Sequence, residues 1–157
     1  MVRQLRRVAV DERDGADRVT ADEIAVHLGL QPHPEGGWYR ETWRGATQDG
    51  ARGAGTAIFF LLKAGERSHW HRVDADETWH FYDGAPLELG QSADARSVSA
   101  TRLGRNLALG ETPQATVPRG VWQSARTLGA WTLVGCTVAP ASEFTGFELA
   151  PPGWHPG

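Results

Sequence analysis

The chain has 157 residues, the size of one domain able to bury a core. A formal charge of −3 and a single lysine, Lys63, leave no basic footprint for nucleic acid, and no apolar run reaches the length of a membrane span or signal segment. Cys136 is the only cysteine, which excludes an internal disulfide; the expectation is a cytoplasmic protein whose partners are small molecules rather than nucleic acid or membrane.

Residues 1–18 are charged and lack a stable period, so they read as a flexible N-terminal arm. A single domain is expected over 19–150, and residues 151–157, PPGWHPG, read as a C-terminal tail or tether. Thr20 with Glu23 forms a capping box, Ala21, Ile24, Ala25 and Leu28 make one apolar face, and Gly29 supplies a stop, which predicts a short helix. QPHPEGG follows as a turn, with His33 in it; the alternative is that HPEGG lines a barrel mouth. Trp38 to Trp43 alternates as a strand, placing Trp38, Arg40 and Thr42 on one face and Tyr39, Glu41 and Trp43 on the other. Residues 44–55 read as a loop. Thr56 to Leu62, TAIFFLL, suits a central strand buried on both faces. Further strands are expected near 68–72, 77–82, 86–90, 96–103, 114–118, 121–125, 130–138 and 144–149, with Cys136 as a buried strand residue. Many short strands with nineteen glycines and nine prolines between and within them predict an all-β sandwich or barrel with a short N-terminal helix.

The stretch SHWHRVDADETWHFYDG, Ser68 to Gly84, gathers three histidines and several carboxylates. His69 and His71 are two residues apart, so on a regular strand they leave the same face and can converge. With Glu77 they make a facial set suited to a divalent Mn, Fe, Ni or Zn ion with positions left open for water or substrate. The alternative is a solvated hairpin with no ligand. His80, three residues after Glu77, falls on the opposite face of a regular strand, and Trp38, Trp43, Trp70, Trp79, Trp122 and Trp131 suit packing or ring stacking.

Gly65, His69, His71, Glu77 and Gly84 resemble the first motif of the cupin superfamily, with five residues rather than four between His71 and Glu77. Gly110, Pro118, Gly120 and Gln123 resemble the second, with glutamine at the last position in place of histidine. HPEGGWYRETWR, TAIFFLL, VPRGVWQSA and WTLVGCTVAPASEFTGFELA extend the likeness over about 20–150 and resemble the Cupin 5 family, domain of unknown function 985. The resemblance implies a double-stranded β-helix, a jelly-roll barrel often paired as a homodimer, and no particular reaction. It implies metal ligands at His69, His71 and Glu77, with Gln123 as a weaker fourth donor or a substrate contact. The function expected is binding of a small polar or cyclic metabolite in the barrel, most simply by a metal-dependent enzyme in which His69, His71 and Tyr82 do the chemistry and Tyr39, Arg40, Trp79 and Gln123 hold substrate. Two rivals stand beside it: a metal-free epimerase or isomerase with histidine as base, and a ligand-binding module without catalysis. Arg40, Glu41 and Arg72 are candidates to orient an anionic substrate or to form surface ion pairs, and the direction of Glu35 and Glu148 is open.

Overall fold

Period-two alternation of apolar and polar residues sorts the strands into two antiparallel sheets in a computed structural model that describes residues 19–157. Residues 1–18, read above as an arm, lie outside the described residues. In chain order the elements are α1 (Ala21–His27), β1 (Gln31–Pro32), β2 (Trp38–Arg44), β3 (Thr56–Lys63), β4 (Arg67–Val73), β5 (Asp76–Gly84), β6 (Leu87–Ser92), β7 (Ser99–Leu103), β8 (Gln114–Val117), β9 (Trp122–Thr127), β10 (Trp131–Ala139) and β11 (Phe147–Leu149). One sheet runs β1-β2-β3-β10-β5-β8 and the other β11-β4-β9-β6-β7. The expected strand density and mostly-β class are those observed.

The helix forms as its sequence dictates. Thr20 accepts from the Glu23 amide, and the Glu23 carboxylate accepts from the Thr20 amide, which satisfies two donors the first turn leaves free. Gly29, at φ +64°, takes the left-handed turn that ends it. Ile24 and Ala25 then pack on Leu61 of β3 from outside the barrel. TAIFFLL is buried on both sides for that reason: Leu61 faces the helix, while Phe60 and Leu62 face the interior with Trp79, Leu87, Leu89, Leu103 and Val134.

Three register shifts break the alternation; one lies on β5, where Phe81 pairs with Val134 and Asp83 with Leu133, so Tyr82 is an extra residue. On β2, Glu41 pairs with Ile58 and Trp43 with Ala57, so Thr42 is an extra residue, and Trp43 is exposed on the outside. On β4, Ser68 pairs with Ala125 and His71 with Gln123, three steps on one strand against two on the other. Ser68 and His71 are both buried toward the interior, while His69 and Trp70 between them serve the outer side.

The C-terminal segment is packed rather than loose, which corrects the tether reading. Trp154 lies 4.7 Å from Trp122 and 6.3 Å from Trp70, ring centre to ring centre, and Ala150 completes this outer cluster. His69 Nε2 meets the Pro151 carbonyl at 3.0 Å and the Gly157 amide donates to Ala95 O. No helix among the described residues is long and apolar enough to cross a membrane.

Candidate active site

A cavity of about 390 Å³ opens between the two sheets, a size typical of small-molecule sites. Tyr39, Ile58, Val138 and Phe147 wall it; Glu35, His71, Glu77 and Cys136 lie at its buried end, and Arg44 and Glu143 at its exposed rim. A wider groove of about 1170 Å³ runs beside α1, but its titratable residues, Asp22, Glu23, His27, Asp83 and Arg105, are all exposed. The chemistry is concentrated in the smaller cavity.

HPEGG brings Glu35 there. Gly36 and Gly37 have φ of +105° and +78°, and a Cβ on Gly36 would stand 2.1 Å from the Arg67 carbonyl, so only glycine lets this turn press against β4. The Glu35 carbonyl accepts from the His69 amide at 2.7 Å, and the Ser68 hydroxyl donates to Glu35 Oε1 at 3.0 Å. The same turn places His33 with Nδ1 accepting from the Glu35 amide and its ring edge-on to Tyr39.

Glu35 and His71 form a close buried pair. A backbone carbonyl can only accept, so His71 Nδ1 donates to His69 O at 2.7 Å, and Nε2 is left facing Glu35 Oε2 at 3.0 Å. Burial pushes the Glu35 carboxyl up to about 7 and burial pushes His71 down. Both effects favour the neutral forms, a carboxylic acid at Glu35 beside a neutral imidazole.

Glu77 stands apart from that pair in the same cavity. Its Oε2 accepts from the Gln123 amide nitrogen at 2.8 Å, and Cys136 lines the same cavity. Burial raises it to about 7; His71 pulls it down and Glu35 pushes it up again. Trp79 sets this arrangement, because its indole N–H donates to Gln123 Oε1 at 2.8 Å and so turns the NH₂ toward Glu77. All of this is enclosed: Gln123 is 0 % exposed, His71 1 % and Glu77 7 %.

The remaining candidates from the sequence fall elsewhere. His69 is not beside His71, because the bulge on β4 turns it to the outer side against Pro151. Tyr82 is the extra residue where β5 slips against β10, half exposed and edge-on to Phe59 on the outer side. Arg40 lies outside over the Phe59 ring, and His80 is outside between Thr137 and Gln114. Arg72 pairs with Glu148 and covers Trp122, and Glu41 pairs with Arg44. Trp79 is core, in contact with Gln123. Tyr39, His71, Glu77 and Gln123 do come together, joined by Glu35 and His33 of HPEGG, the segment weighed as a barrel mouth; the pairing of Glu35 with His71 was not foreseen, and the carboxylate ahead of two glycines was the signal available.

The metal set expected from the motif therefore does not fit this chain. His69 points away, the Gln123 oxygen is taken by Trp79, and the amide presents N–H rather than a lone pair to Glu77. Among the described residues no group of three His, Cys, Asp or Glu side chains is arranged to hold a metal ion.

A family model described as "Cupin superfamily (DUF985)", Cupin_5, matches residues 22–150. The chain belongs to the Cupin_5 family. Two solved structures agree: protein SO0799 from Shewanella oneidensis, 38% identical with a TM-score of 0.81 over 85% of each chain, and a hypothetical protein from Leishmania major, 31% identical with a TM-score of 0.78 over 87% of this chain and 90% of the other. Oxalate decarboxylase from Bacillus subtilis, 13% identical with a TM-score of 0.57, covers 75% of this chain with 29% of its own and shows the cupin fold alone. No curated protein matches the sequence.

Proposed function

We propose that this Cupin_5 protein is an acid–base catalyst, of the epimerase or isomerase type, acting on a small molecule held between its sheets. The observation that carries this reading is the presence of two buried carboxyls in one cavity with different fixed partners: Glu35 against the His71 imidazole, Glu77 against the Gln123 amide. Two such groups that repel each other lose their protons in separate steps, so near neutrality one serves as acid while the other serves as base. Gln123 N–H favours the charged form of Glu77, which makes it the base; the Glu35–His71 pair holds the proton to be returned. Histidine is thus part of the acid rather than the base that the sequence suggested, since both His71 nitrogens are already engaged.

The first step is testable without knowing the product. Ligands found to bind the protein are incubated with it in D₂O, and proton NMR follows loss of a carbon-bound hydrogen. The wild type should catalyse exchange, with Glu77→Gln and His71→Gln slower by about 10²–10⁴-fold. Exchange that survives in Glu77→Gln, or no exchange with any bound ligand, refutes the proposal; the latter result leaves a binding module.

A further inference from the structure

The acids of this cavity fall into two groups by their partners. Those at the rim are balanced: Glu41 holds Arg44 at 2.7 Å, and Glu143 reaches Arg52 at 4.0 Å. Arg44 is further committed to the Ser142 carbonyl at 2.9 Å. Those at the buried end, Glu35 and Glu77, have no arginine or lysine within ion-pair reach among the described residues, only imidazoles whose own burial opposes their protonation. A charge taken out of water without a counter-charge is costly, and Glu77 is more than nine-tenths buried while opening into the cavity. Two aromatic rings, Tyr39 and Phe147, line the same cavity, with His33 edge-on to both. Aromatic faces attract cations as carboxylates do.

We propose that the cavity takes a small organic cation, an ammonium- or amidinium-bearing molecule with a flat apolar part, whose positive charge settles at Glu77 and whose ring lies against Tyr39 and Phe147. Anionic ligands are excluded from its depth, because each acid at the rim already occupies the arginine beside it. This inference rests on the same cavity as the acid–base reading and adds the charge of the substrate. It also removes the anionic substrate that Arg40 and Arg72 suggested, since both arginines lie outside.

Three probes of nearly one shape test it: benzylammonium, benzyl alcohol and benzoate, titrated by calorimetry into the full chain at pH 8 in a buffer containing chelator. Benzylammonium should bind at least about tenfold more tightly than the alcohol, with benzoate weakest. Glu77→Gln should erase the preference for the ammonium, and Glu143→Gln at the rim should leave it within about twofold. If Glu77→Gln does not fold, Glu35→Gln is used, and it too should reduce the preference. Equal binding of alcohol and ammonium, tighter binding of benzoate, or no binding of any of the three overturns the proposal. So does tight binding of Mn²⁺ or Zn²⁺ that displaces the amine once the chelator is removed. These results are independent of catalysis: ammonium selectivity with no deuterium exchange rejects the acid–base function alone, and exchange on an uncharged ligand rejects the charge assignment alone.

Discussion

His69, His71 and His80 look alike in the sequence and end in three different settings. His71 is 1 % exposed inside the cavity with both nitrogens engaged, His69 holds the C-terminal segment from outside, and His80 bridges Thr137 and Gln114 on the outer face of the other sheet. The inner and outer sides of β4 and β5 thus do different work: the inner side carries a buried polar network, the outer side carries packing and cover. Side-chain direction decides which residues can do chemistry, and on β4 one extra residue reverses it.

The inner side should break most severely. Trp79 is 1 % exposed, at the centre of the core, and its N–H fixes Gln123. Trp79→Ala should cost about 3–5 kcal/mol in urea unfolding. Trp79→Phe keeps most of the packing but orphans the buried Gln123 oxygen, so about 1–3 kcal/mol is expected, together with a changed Glu77 titration in a carboxyl-labelled NMR experiment. A Glu77 titration unmoved by Trp79→Phe would show that the indole does not orient the amide.

The ordinary value of the Glu77 carboxyl is 4.5 and its folded value is about 7, so between these limits the folded chain holds a proton that the unfolded chain has released. That contribution is therefore lost as pH rises from 4.5 through about 7, by up to about 1.4 kcal/mol per unit. His71 and His33 are pushed down and act in the opposite sense, gaining as pH rises toward the ordinary histidine value of 6.5. The difference between wild type and Glu77→Gln isolates the carboxyl: relative to the variant, the wild type should become less stable as pH rises across that window. A constant difference would mean that Glu77 is not held neutral by its surroundings.

The outer side should yield less. Trp154 is half-buried against Trp122 and Trp70, and Trp154→Ala should cost about 1–3 kcal/mol while leaving ligand binding in the cavity intact. Thermal unfolding and a calorimetric titration of the same sample separate the two effects. Loss of binding without loss of stability would join the tail to the site.

What the sequence could reveal follows from these same residues. Local rules sufficed for the helix, because Thr20, Glu23 and Gly29 act within one turn of one another. They sufficed for β3, whose apolar run needs cover on both faces. His80 was recoverable by counting, since an odd separation from Glu77 on a regular strand puts it on the other face; Tyr82 sits where β5 slips against β10, which no local pattern marks. His69 was not recoverable, because nothing in SHWHRV marks the bulge; it appears only when β4 is paired with β9. Glu35 was hidden for a related reason. Its meeting with His71 spans 36 positions and depends on two glycines pressing a turn against another strand.

The smallest expected effect is the one that most directly separates the two sides of β4. His69→Ala removes a hydrogen bond to the Pro151 carbonyl at a partly exposed position, worth about 0.5–1.5 kcal/mol, and touches nothing in the cavity. His71→Ala removes a buried ring that the Glu35 carboxyl needs as partner, and leaves that carboxyl facing an empty space. Calorimetry with a cavity ligand should therefore give unchanged affinity for His69→Ala and a clear loss for His71→Ala, each checked for folding by circular dichroism. Equal losses would mean that the two histidines act on one ligand after all, and the bulge that separates them would have to be absent in solution.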